Sequence, residues 1–167
     1  ILRRPREATK SVAQKLRSFL GPATAREEAL AWAIAAGKDP VRQSAAVQRL
    51  RAVDDPDAAV HLQLAQLLPA GDEQTERYRA ALPHPVAAVN LGNILAQAGQ
   101  LEAAATHWRN ALTREPHNSA ARLNLVQALL RLGDPAQALA ELKQLLVYDP
   151  DRPDLRRLLA QLQARLQ

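Results

Sequence analysis

Six polar side chains on a shared interval are the residues best placed to do chemistry in this 167-residue chain: Asn90, Asn93 and Gln97, then Asn124, Gln127 and Arg131. Asn90 and Asn124 stand 34 residues apart, as do Asn93 and Gln127. A side-chain amide offers both donors and an acceptor, so ladders of amides hold the backbone of an extended peptide without reading its sequence. Val86, Val89, Ala120 and Leu123 lie among them as an apolar floor for anchor side chains, and Arg131 suits an acidic group. That chemistry is recognition.

Bond-breaking chemistry has no constellation to support it. His61, His84, His107 and His117 lack the i, i+4 spacing of a helical metal site, and neither HExxH, GxSxG nor a phosphate-loop spacing occurs. They read as surface or boundary residues. Asp54, Asp55 and Asp57 form a carboxylate cluster, but acidic residues beside a helix start are explained as caps. The absence of cysteine removes disulfides, thiolate metal ligands and thiol nucleophiles. We expect no catalytic residue, no cofactor and no metal.

The amides must be positioned by a repeated unit. Asn90, Leu91, Leu95, Gly99, Ala104, Trp108, Leu112 and Pro116 are answered 34 residues later by Asn124, Leu125, Leu129, Gly133, Ala138, Leu142, Leu146 and Pro150. A period of this length signals stacked supersecondary units, each too small to bury its apolar face alone. Ala88, Leu91, Ile94, Leu95 and Ala98 recur at helical intervals up to Gly99. A second stripe, Leu101, Ala104, Trp108, Ala111 and Leu112, closes at Pro116, which lacks the amide hydrogen a helix needs and pushes Glu115 out of helical geometry. Gly133-Asp134-Pro135 makes the turn of the next hairpin.

In these residues the chain resembles the tetratricopeptide repeat (TPR) family, whose pattern runs aromatic, L-G, aromatic, then A-x3-F and a closing P. The first copy reads Leu91-Gly92, Leu95, Ala104, Trp108, Ala111, Pro116, and the second Leu125, Leu129, Ala138, Leu142, Pro150. Ala88 and Arg122 stand where the leading aromatic belongs, and Val126 replaces the small Gly. Small residues at Gly92, Ala104, Ala111 and Ala138 let helices approach closely, and Leu95, Trp108, Leu129 and Leu142 fill the seams. The resemblance implies an all-α, right-handed α-solenoid of antiparallel helix hairpins. The first helix of each repeat then lines the concave side, so the amides ladder along a groove. Asn93 and Asn124 match the Asn pair with which co-chaperone TPR domains grip a C-terminal carboxylate. Val89 and Leu158 replace the expected cations, so a carboxylate clamp is not implied.

Around the repeats, residues 1–22 read as a basic segment, with a short amphipathic helix in 11–20 carrying Val12, Leu16 and Phe19 on one side and Lys15 on another. Residues 23–84 read as divergent hairpins, with Thr24 capping the first helix, a break at Gly37-Lys38-Asp39-Pro40, a partner over 41–53, and a further pair over 57–68 and 73–82. TPR units follow at 85–118 and 119–152. Residues 153–167 make a capping helix with Arg156, Gln163 and Gln167 outward. Only 3% of residues are aromatic, so Leu and Ala build the core around Trp32, Tyr78 and Trp108 as large plugs.

The +5 net charge sits wholly in residues 1–20, and the remainder is balanced. A nucleic-acid binder spreads its cations over the surface, so no nucleic-acid partner is expected. The Arg3-Arg4-Pro5-Arg6 cluster reads as a solvated tail or as the polar flank of a missing membrane span, which leaves membrane proximity open. A start at Ile1 suggests a fragment or processed form. The Ala/Leu/Arg-rich composition points to a bacterium, with cytoplasmic, periplasmic and membrane-anchored placement all open. The expected function is a non-enzymatic TPR scaffold that binds a protein or extended peptide in its concave groove. The alternative is an assembly or oligomerisation module of a larger membrane-associated or secretion machine, with the oligomeric state open.

Overall fold

The computed structural model describes residues 23–166, so the basic segment, its amphipathic helix and Gln167 lie outside the described residues. Among the described residues there are nine helices and no strand, which is the all-α, TPR-like solenoid expected. Two compact units are present, the first ending at Leu67 and the second running from Leu68. Each has its own core.

The first unit contains α1 (Ala25–Ala36), α2 (Pro40–Arg51) and α3 (Ala58–Leu67). Thr24 starts α1 with a complete capping box: its hydroxyl accepts from the Glu27 N–H at 3.2 Å, and the Glu27 carboxylate accepts from the Thr24 N–H at 2.8 Å. Asp39 caps α2 ahead of Pro40, accepting from the Val41 N–H at 2.9 Å. Asp57 accepts from the Val60 N–H at 3.1 Å and pairs with Arg26 on α1. The Arg26 bonds, then that of Val60, hold the Asp57 carboxyl below its ordinary range. It is a cap, as its place beside a helix start implies.

The core of this unit is built from Ala29, Ala33, Ala36, Ala46, Leu50, Val53, Val60 and Leu64. That composition corrects one expectation, because Trp32 is 41% exposed and plugs nothing. The buried stripe of α1 runs Ala29, Ala33, Ala36, and the residue before Ala33 is turned about 100° away from it. Trp32 instead holds the Arg49 guanidinium 4.4 Å from its ring centre.

The second unit runs through α4 (Asp72–Ala80), α5 (Pro85–Gln97), α6 (Leu101–Arg114), α7 (Ser119–Arg131), α8 (Pro135–Tyr148) and α9 (Pro153–Arg165). Consecutive helices pack on one another throughout, and α5 also touches α7. The repeated turn is built identically in both hairpins. Gly99 and Gly133 take φ of 79° and 78°, which a residue with a Cβ rarely adopts. The N–H groups of Gln100 and Asp134 each reach back to Leu95 and Leu129 carbonyls at 2.9 Å, closing the six-to-one bond of a Schellman turn. Asn118 and Asp134 cap α7 and α8 by accepting from the Ala121 and Gln137 N–H groups at 2.9 Å.

Between the hairpin helices, Trp108 and Tyr78 are buried as the expected plugs. Burial raises the Tyr78 hydroxyl above its ordinary pKa. Leu155 and Leu162 of α9 enter the same core as Leu142 and Leu145, while Arg156 and Gln163 are exposed. Arg122, in place of the family aromatic, is buried: its guanidinium pairs with Glu141, donates to the Pro116 carbonyl at 2.9 Å and lies 5.8 Å from the Tyr148 ring centre. The long stem fills the seam and the head ties down the connection between α6 and α7.

Gly92 permits a close approach of α6 to α5. A Cβ built there meets Trp108 Nε1 at 2.5 Å and Cδ1 at 2.8 Å, so the indole lies directly on the α5 backbone. The second repeat pairs Val126 with the smaller Leu142 at the matching places, and both are buried. Gly92→Ala is therefore expected to cost about 1–3 kcal/mol through overpacking. The Gly92→Ala/Trp108→Leu double variant, which moves the pair toward the Val126 and Leu142 of the second repeat, recovers part of that loss in urea unfolding followed by circular dichroism.

Candidate functional site

The first helices of the two repeats, α5 and α7, bring five of the expected recognition residues into one depression of about 330 Å³. Asn93 and Gln97 come from α5, and Asn124, Gln127 and Arg131 from α7. The four residues that complete the lining are Ala96, Leu101, Trp108 and Ala128. Val86, Val89, Asn90 and Leu123 are half-buried and lie outside that lining. Val89 and Leu123 pack on the core of the unit instead, so the apolar floor is made by Ala96, Leu101, Ala128 and the indole.

The amides meet in a staggered register. Asn124 Nδ2 donates to Asn93 Oδ1 at 2.8 Å, joining residues 31 apart, where equal places in the repeat are 34 apart. The three-residue offset is close to one helical turn. Asn93 Oδ1 also accepts from Trp108 Nε1 at 3.2 Å, and that indole N–H is shared with the Val89 carbonyl at 3.3 Å. Sequence reasoning placed Trp108 in the core alone. The available signal was Gly92, whose missing side chain lets the indole nitrogen arrive one residue from Asn93.

Charge in the depression is one-sided. Arg131 is the cation of the lining, no acidic side chain lines it, and Arg131 has no ion pair among the described residues. The exposed Gln97 and Gln127 flank it with further donors and acceptors. Such a surface fits a polar, extended ligand with an acidic group.

The histidines have local duties. His84 caps α5, its Nδ1 accepting from the Val86 N–H at 3.2 Å, and His117 stacks edge-on against Tyr148 at 4.3 Å. His61 is half-buried on α3. His107 carries its Nδ1 buried without a hydrogen-bond partner among the described residues. Burial, then the nearby Arg79 charge, push its pKa below the usual histidine value of 6.5. No group of three His, Cys, Asp or Glu able to hold a metal occurs among the described residues, and none of their helices is long and apolar enough to cross a membrane.

The depressed His107 pKa has a defined sign for stability. The folded chain prefers neutral imidazole, while the unfolded chain takes up a proton from about pH 6.5 downward. The stabilisation is thus full above that value and declines as pH falls through the folded pKa. Thermal unfolding between pH 7.5 and 5 should show this decline, and His107→Gln should flatten it.

The tetratricopeptide repeat family model matches residues 95–162, which holds most of both hairpins and much of α9. No curated protein matches the chain. Solved structures similar to it include MamA AMB-1, at 26% identity and TM-score 0.66, over 85% of this chain and 86% of that one. MamA MSR-1 is similar at 24% identity and TM-score 0.63, over 85% and 84%. PilF of Pseudomonas aeruginosa is similar at 23% identity and TM-score 0.64, over 84% and 68%. Their shared fold is that of TPR proteins, consistent with protein–protein interaction, and bacterial origin is consistent with these neighbours.

Proposed function

We propose that this tetratricopeptide-repeat chain is a non-enzymatic scaffold that binds a protein or extended peptide in the groove between α5 and α7. The observation that carries the reading is the gathering of Asn93, Gln97, Asn124, Gln127 and Arg131 around one depression with apolar Ala96, Leu101 and Ala128 beneath. Amides supply sequence-independent hold on backbone, the apolar floor supplies contact area, and Arg131 supplies attraction for one acidic side chain. A partner without nucleic acid suits the balanced charge outside residues 1–20.

The reading is tested with short random peptides displayed as internal segments and selected on the protein. Binders are expected, and Gln97→Ala/Arg131→Ala should weaken them by roughly tenfold. Both side chains are exposed, so the melting temperature stays unchanged. Peptides whose affinity ignores both substitutions place recognition elsewhere and end the groove reading.

A second reading, an assembly or oligomerisation module of a larger bacterial complex, is favoured by apolar exposure in the first unit. Trp32, Ile34 and Val41 are 41%, 76% and 79% exposed. Trp32 lines one depression with Ala31 and Ala35, and exposed apolar area of this kind favours association. Sedimentation equilibrium discriminates: a concentration-dependent oligomer that Trp32→Ala/Val41→Ser dissolves supports assembly, whereas a monomer at every concentration removes it.

A further inference from the structure

The hydrogen bonds behind the groove set the direction in which its amides face. An indole nitrogen only donates, so the atom Asn93 turns toward Trp108 at 3.2 Å has to be its oxygen. Asn124 meets that same oxygen at 2.8 Å and so has to approach with its nitrogen. The remainder follows by elimination. Asn93 Nδ2 and Asn124 Oδ1 have no partner among the described residues, and both residues line the depression.

The geometry points to Trp108 as a positioning residue that fixes one donor and one acceptor side by side, so that the groove selects the backbone amides of an internal peptide segment over a terminal carboxylate. This rests on the groove reading above and deepens it. A backbone offers a carbonyl for Asn93 Nδ2 and an N–H for Asn124 Oδ1. A carboxylate only accepts, and would face the Asn124 oxygen with a lone pair against a lone pair. Gly92 belongs to the same device, since any side chain there lifts the indole away from Asn93. Without the indole N–H, both amides are free to turn over and the selectivity disappears.

The test uses the whole chain and two displayed libraries of short random peptides, one fused at both ends and one with a free C-terminal carboxylate. The double-ended library should yield groove binders, while binders from the other should not depend on Asn93 or Asn124. Asn93→Asp keeps an acceptor for Trp108 and Asn124 but replaces the outward donor. It should weaken the internal binders by roughly tenfold with little change in melting temperature. Trp108→Phe keeps a ring in the seam without its N–H. The readout there is the ratio of affinities for an internal peptide and its carboxylate-ended counterpart, because that ratio is insensitive to the folded fraction. The ratio should collapse toward one.

Carboxylate-ended binders that require Asn93 and Asn124 overturn the inference, as does a Trp108→Phe variant with an unchanged ratio. Groove binders that respond to Gln97→Ala/Arg131→Ala but ignore Asn93→Asp overturn it while sparing the groove. Failure of both libraries to give groove-dependent binders removes the groove reading itself, and this inference with it.

Discussion

One indole joins the core to the amides that line the depression. Trp108 is 3% exposed, lies on the backbone at Gly92, and sends its N–H through the α5 surface to Asn93. The indole N–H is shared between the Val89 carbonyl and Asn93 Oδ1, and a turned-over Asn93 would set its own NH2 donors against that N–H, which orients the amide. Packing and polar readout are therefore not independent at this place. The smallest residue on α5 and the largest on α6 have to occur together.

The second repeat shows what happens when that constraint is absent. Val126 and Leu142 fill the corresponding seam with apolar atoms alone, and Gln127, at the place of Asn93, is exposed. Its partner helices are instead tied by Arg122, which bonds Glu141 and the Pro116 carbonyl. Both hairpins share the Schellman turn, because Gly99 and Gly133 set backbone geometry that side chains do not alter. The repeat conserves its backbone device and varies its side-chain one. Two seams of the same fold thus carry different polar chemistry.

Much of this was legible in the chain because it is local. Helix limits followed from Thr24 as a cap, from the break at Gly37-Lys38-Asp39-Pro40, from the glycines after α5 and α7, and from the prolines that follow α6 and α8, each acting within a few residues, whereas the caps Asn118 and Asp134 were seen only in the structure. Trp32 was misplaced because composition assigned a large aromatic to the core, while the Ala29, Ala33, Ala36 stripe already occupied the inner face of α1. Asn90, Val86, Val89 and Leu123 were grouped with the groove by repeat position. They share α5 and α7 with the lining residues but lie outside the depression.

The amino-acid sequence alone determined that the chain is all-helical, that two 34-residue hairpins lie in tandem, and which amides and which arginine face outward from their first helices. These are consequences of periodicity, capping and turn chemistry, which depend on neighbours within one or two turns. Only the tertiary structure decided that Asn124 pairs with Asn93 and that Trp108 stands behind them both. The reason is that the stagger between packed helices is set by how side chains such as the indole at Gly92 interlock, and that is a property of two surfaces in contact.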